Sequence, residues 1–236
     1  MSWQRYHVPI LGYHRVGEYR GDHVPTVSPE AFERQLQFLA KRRYRVILLD
    51  EVLSCLSRGE RTPPRSVVIT FDDGYEETYT VAWPLLRRFG FPAIVFITPA
   101  EVGLRGFATW EQVAAMAKDG MTIGSHTMNH RYLPLVGEEQ LDEEIIKSKQ
   151  VIEARVGQPI AYFSYPVGGF TPAVQRLVQQ AGYRGACTTN RTQSRWTIDP
   201  FALRRIKVTE RDGHPLLFWA KVSGYYDAFR RLEQPA

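Results

Sequence analysis

Two histidines four residues apart, His126 and His130, and two adjacent aspartates, Asp72 and Asp73, are the residues of this sequence best suited to chemistry. At i and i+4, two imidazoles can face one point from a helical turn or a tight loop, as a zinc ion requires. Two surface histidines would give the same spacing, but the strand expected directly before His126 favours the metal. The HExxH protease arrangement does not apply, because Thr127 stands where its glutamate would be. Adjacent carboxylates after an apolar strand repel each other and lose hydration unless something offsets both costs. A divalent cation would do so, and one carboxylate could bind it while the other stays free as a base. An exposed Asp-Gly turn is the alternative. Taken together, one Asp and two His make a ligand set with open positions. That is the arrangement of a hydrolytic metal centre rather than a closed structural one.

The elements before these residues must bring them together. Short apolar, β-rich runs alternate with helical patterns. Strands are expected over 8–13, 44–48, 66–71, 93–98, 121–125, 160–164, 182–187 and 202–206. Ser28-Pro29-Glu30 offers a cap, a proline at the first helical position and an early acid, ahead of Phe32, Leu36 and Leu39 at helical spacing. Further helices are expected over 83–89, 109–118, 138–156 and 171–181. This alternation predicts an α/β fold, a parallel sheet covered by helices. Eight strands admit a closed barrel or an open doubly wound sheet. Tyr13-His14, Asp72-Asp73-Gly74, the His126 to His130 run and Tyr165-Pro166-Val167-Gly168 each follow an expected strand. In a parallel barrel all strands deliver their C-terminal ends to one face, where active sites sit. No GxGxxG follows the first strand and no GxxxxGK[ST] occurs, so dinucleotide and P-loop readings fall away.

Composition bounds the rest. The 236 residues are 44% hydrophobic and 23% charged, which fits one globular domain over 1–236 and excludes disorder as a description of the whole chain. Lys+Arg 30 against Asp+Glu 25 leaves +5, scattered along the chain with no recognition motif, so nucleic acid is not an expected partner. Cys55 and Cys187 are too few for a disulfide scaffold. No run approaches the roughly 18 apolar residues of a membrane helix. Peripheral contact with an anionic membrane stays open. The N-terminus MSWQRYHVPILGYHRV is too interrupted for a secretory signal, so the chain as written reads as cytoplasmic. A chain trimmed of its signal would look the same and be extracellular.

Three strings now carry a family resemblance. ITFDDGY (Ile69 to Tyr75), SHTMNH (Ser125 to His130) and FSYPVGG (Phe163 to Gly169) resemble, in this order, three motifs of the polysaccharide deacetylases. This is the NodB-homology group, also called carbohydrate esterase family 4. PILGYHRV (Pro9 to Val16) is similar to the N-terminus of a bacterial branch that includes exopolysaccharide and poly-N-acetylglucosamine deacetylases. The likeness spans a core of about 8–208. It implies a distorted (β/α)7-type barrel, TIM-barrel-like. It implies a metal-dependent hydrolase that removes N-acetyl groups from amino-sugar residues of a polysaccharide or oligosaccharide through a metal-activated water. By the same resemblance Asp73, His126 and His130 hold one divalent ion, zinc before cobalt or nickel. Asp72 is the general base, and the backbone N–H of Val167 points into the oxyanion hole.

The sequence also departs from the family pattern. The leaving amine needs a general acid, and the late Leu-x-His motif that usually supplies it is absent from ALRRIKV (Ala202 to Val208). The branch with Tyr-His after its first strand is thought to use that histidine, so His14 is the expected acid, with His214 its rival. The third motif usually begins with an arginine that pairs with the catalytic Asp; here Ser164 holds that place. Alternation sends one of Arg204 and Arg205 into the barrel. Arg205 is the expected partner of Asp72, and an arginine packed outside the barrel is the alternative. The aromatic motif is not recognisable. Trp196 and Tyr165 are the candidate sugar-binding surfaces, with Trp110 comparable, and plain packing is the alternative for each. Two other functions stay open: a non-catalytic glycan-binding relative, and an amidohydrolase or esterase acting on a small or lipid-linked glycan.

Overall fold

The computed structural model describes residues 8–190, 199–224 and 226. Among these, seven parallel strands close into a barrel. In chain order they are β1 (Ile10–Tyr13), β2 (Ser66–Phe71), β3 (Ile94–Ile97), β4 (Thr122–Ser125), β5 (Tyr162–Ser164), β6 (Gly185–Thr188) and β7 (Leu203–Lys207). Each pairs with its neighbour in chain order. The ring closes where β1 lies between β7 and β2, with Ile10 opposite Arg205 on one side and Val68 on the other. The expected strand over 44–48 shrinks to Arg45–Val46, which pairs with Ser66 and Val67 and stays outside the ring. Val68, its next partner position on β2, is already taken by β1.

Alternation sorts the apolar residues into two layers. Ile10, Val68, Ile94, Phe96, Tyr162, Cys187 and Leu203 form one cluster inside the barrel. Leu11, Ile69, Val95, Ile123, Phe163 and Ala186 point outward and pack with helix residues such as Leu36, Leu86, Val113, Ile152 and Val178. Helix α1 (Pro29–Lys41) starts as expected, with the Ser28 side chain accepting from Ala31 N–H. Helix α2 (Leu49–Ser57) plugs the N-terminal end of the barrel: Leu49 and Val52 join the interior cluster, and Leu53 lies against Gly185, the first residue of β6. The interior is tight at Gly124, where an added Cβ would stand 2.5 Å from the Phe96 ring.

Helices α3 (Trp83–Phe89), α4 (Trp110–Lys118) and α7 (Pro172–Gln180) fill the outer ring. The single helix expected over 138–156 is in three parts: α5 (Glu138–Asp142), a wide π-turn (Glu143–Lys147) and α6 (Ser148–Val156). Helix α8 (Pro215–Val222) follows β7. No helix among the described residues is long and apolar enough to cross a membrane.

Candidate active site

The C-terminal ends of β1, β2, β4, β5 and β7 carry the polar residues singled out by the sequence. After β2 the chain turns sharply. Asp72 N–H donates to Tyr13 O at 3.0 Å, and Asp73 and Gly74 both take left-handed φ, 72° and 75°. Gly74 suits that conformation, and a side chain there would also strike Ile97. The two carboxylates thereby leave the strand in different directions, both buried.

Asp72 turns into the barrel and meets Arg205. The guanidinium grips it bidentately, Nη1 to Oδ1 at 2.7 Å and Nη2 to Oδ2. Arg205 also donates to Ser164 Oγ at 2.9 Å and Thr70 Oγ1 at 3.1 Å. Both ends of the pair are buried. Burial pushes the Asp72 carboxyl up, but the charge of Arg205, then that of His126, overcomes it and holds the group well below the ordinary carboxylate range. Ser164 is thus part of the Arg205 cage, and the cation arrives from the neighbouring part of the ring rather than from β5. Arg204 falls on the opposite face of β7.

Asp73 faces the histidines. His126 and His130 Nε2 stand 3.5 and 3.3 Å from Asp73 Oδ1, and one donor atom from each residue lies within 4.8 Å of the others. His126 Nδ1 is 2.7 Å from the Ser164 carbonyl, to which it donates; this leaves its Nε2 lone pair facing Asp73. Asp73 Oδ1 is buried and accepts no hydrogen bond. A buried acceptor without a donor, facing an imidazole lone pair, is costly unless a cation sits among them. Two imidazoles and one carboxylate are a donor set for zinc, with room for further ligands. The residues therefore fit the metal that the sequence implied. Burial raises the Asp73 carboxyl, while contact with His130 and the charge of His126 bring it below its ordinary value. His130 is raised by Asp73, and His126 is lowered by burial.

His14 follows β1 and is half-buried. Burial lowers its imidazole pKa, and the charges of Asp72 and Asp73 act against that. Its Nδ1 is buried without a hydrogen-bond partner. His214 is exposed at the start of α8. At Val167 the backbone is left-handed, φ 57°, an uncommon conformation for a β-branched residue. Gly169 N–H donates to Pro166 O at 3.3 Å and so holds the peptide plane that carries the Val167 N–H. Thr189 Oγ1 donates to Val167 O at 3.1 Å and Thr188 Oγ1 to Gly168 O at 2.6 Å. Val167 is 76% exposed.

One expectation is corrected. Tyr165 is no sugar platform: it is fully buried, its ring stacks on Phe170 at 4.5 Å, and its hydroxyl donates to Phe201 O. Ser164 points inward, so its neighbour on the strand must point toward the helices. Trp110 is partly buried at the start of α4, with the Arg155 guanidinium 5.5 Å over its ring. Trp196 lies outside the described residues. Sequence reasoning missed the wall beside Asp73. Tyr75 stacks on Phe107 at 5.0 Å and carries Arg15 over its ring at 4.7 Å. Half-buried Glu101 also belongs here; burial and the charge of Asp73 raise its carboxyl. Tyr75 and Arg15 fall within ITFDDGY and PILGYHRV and Glu101 and Phe107 within no motif, and nothing in the sequence signals that their separate loops meet.

Comparison with known proteins fits this geometry. The sequence profile described as polysaccharide deacetylase matches residues 59–186. YxkH of Bacillus subtilis is 29% identical over 202 residues, 86% of this chain and 71% of that one. The poly-beta-1,6-N-acetyl-D-glucosamine N-deacetylase of Escherichia coli K12 is 29% identical over 147 residues, 55% of this chain but only 22% of its own length. The deacetylase PplD of Streptococcus pyogenes, solved with acetate, superposes with a TM-score of 0.81 at 25% identity, over 89% of this chain and 96% of that one.

Proposed function

The chain belongs to the polysaccharide deacetylase family, hydrolases of amide bonds. From that premise we propose that it removes acetyl groups from N-acetylated amino-sugar residues of a glycan, using a divalent cation held by Asp73, His126 and His130. The observation that carries this reading is the clustering of three donor atoms, with the His126 and His130 Nε2 atoms facing the buried Asp73 Oδ1, beside a second carboxylate kept ionised by Arg205. Zinc suits the donor set best.

A cation at this position supplies Lewis acidity to the acetyl carbonyl and to the attacking water. The protein's own groups do the rest. Asp72 takes the proton from water; Arg205 keeps it ionised and aims it. The Val167 N–H, held by the fixed turn after β5, donates to the oxyanion that develops on the acetyl oxygen. His14 gives a proton to the departing amine, which is too basic to leave as an anion. The acetyl group leaves as acetate and the sugar nitrogen as a free amine.

The test is metal analysis together with acetate release from N-acetylglucosamine oligomers. The parent should hold about one zinc per chain and release acetate, and Asp73→Ala should lose both. Full activity and metal content in D73A would remove the ligand assignment, and an active parent without metal would remove the mechanism.

A further inference from the structure

The loop that carries both histidines does not hold its own shape. Thr127 and His130 are left-handed, φ 66° and 55°, and neither is glycine. Such residues are strained and persist only where surroundings dictate them. Main-chain bonds hold part of the loop, among them Ala100 N–H to Met128 O at 3.0 Å, and one buried side chain from another element takes up its main-chain N–H groups. Glu144, 1% exposed, lies in the π-turn between α5 and α6. Its Oε2 accepts from Met128 N–H at 3.1 Å and Asn129 N–H at 3.0 Å. Its Oε1 accepts from Asn129 Nδ2 at 2.9 Å and faces Arg131 Nε at 3.5 Å. Met128 N–H also reaches the Glu144 main-chain carbonyl at 3.1 Å.

The π-turn is itself held in place. Ser148 Oγ donates to Glu144 O at 2.8 Å and lies 2.9 Å from Ser125 Oγ at the end of β4. Tyr183 donates its hydroxyl to Ile145 O at 2.9 Å. Carbonyls in the wide turn therefore find partners outside the helix backbone, and β4, the loop and the helix are tied at one height. Every partner of the Glu144 carboxylate is a donor. An amide at this position would turn an NH2 toward one of them.

We infer that Glu144 is a positioning residue for the metal centre: its carboxylate clamps the 127–131 loop so that His126 and His130 present their nitrogens to Asp73 at one spacing. This rests on the metal reading above. A carboxylate is needed because two main-chain N–H groups, one amide and one guanidinium must all be accepted. The π-turn serves to bring that carboxylate inward.

The test is zinc affinity, measured on the metal-stripped full chain by competition with a chromophoric chelator. Glu144→Gln should weaken zinc binding about 10- to 100-fold, and Glu144→Asp should weaken it less. Excess zinc should restore most of the turnover of E144Q. Tyr183→Phe loosens the same π-turn away from the loop; it should lower the melting temperature of the metal-free protein and leave zinc affinity unchanged. An E144Q protein that binds zinc as tightly as the parent, or a Y183F protein that loses as much affinity as E144Q, overturns the assignment. If E144Q does not fold, Asn129→Ala removes one donor and keeps Glu144; it should weaken zinc severalfold, and unchanged affinity overturns the assignment. A parent that binds no zinc defeats the metal reading itself, and this inference with it.

Discussion

Replacing Arg205 with methionine isolates the contact that keeps Asp72 ionised. Methionine fills similar space and carries no charge. In the parent the guanidinium makes two charge-assisted bonds to Asp72 and further bonds to Ser164 and Thr70, all buried. Removing one member of a buried pair strands the other, at about 3–5 kcal/mol. For a chain of this length that is roughly 6–20 °C in melting temperature. The pH dependence has a definite sign. Asp72 in the parent is held below its unfolded value of about 3.9, so its contribution is present above that pH and lost only as acid protonates the folded state. In Arg205→Met burial acts without the guanidinium and raises the carboxyl, so the variant loses stability as pH rises. The gap between the two proteins should be widest near neutrality and should narrow below about pH 4. Turnover at neutral pH should fall by roughly 10²–10⁴, the usual worth of a general base. Thermal melts across pH 3 to 8 and acetate release measure both. The double variant Asp72→Asn/Arg205→Met should recover much of the lost stability while staying inactive, because no lone charge is left buried. A single variant that melts within about 2 °C of the parent and keeps its turnover would refute the account.

Two shorter predictions complement those on Asp73 and Glu144. His14→Asn should lower hydrolysis of N-acetylglucosamine oligomers by about 10²–10⁴ while barely changing that of 4-nitrophenyl acetate, whose phenolate leaves without a proton; equal losses on both substrates would show that His14 is not the acid. Tyr165→Phe should cost about 1 kcal/mol of stability, the worth of the bond to Phe201 O, and leave KM unchanged; a severalfold rise in KM would return Tyr165 to the substrate site.

Much of the site was legible because its residues lie next to strand ends. Asp72-Asp73, His126 and Tyr13-His14 inherit their position from the strand before them, and a parallel barrel gathers those ends on one face. The two-residue period of a strand sent one of Arg204 and Arg205 inward, and the structure shows it to be Arg205. The same period, applied to Ser164, also places Tyr165 on the helix side, where a hydroxyl can be satisfied by Phe201 O. A candidate chosen by ring type alone missed that. The ring size depended on which strand β2 accepts as its second partner, and Arg45–Val46 lost that place to β1.

Local order in the sequence therefore determined which side chains offer donors to a cation and which end of the barrel they share. These depend on spacings of a few residues and on strand direction. The division of roles between Asp72 and Asp73 came only with the family resemblance. Only the tertiary structure decided how the groups are tuned. The Arg205 cage joins residues 70, 72, 164 and 205, and the Glu144 clamp reaches back 16 residues to Met128 from a π-turn that helical periodicity does not signal. Burial supplies the physical reason. Taken from water, a carboxylate or a main-chain N–H must find its partner wherever the fold has placed one, and distance along the chain does not say where that is.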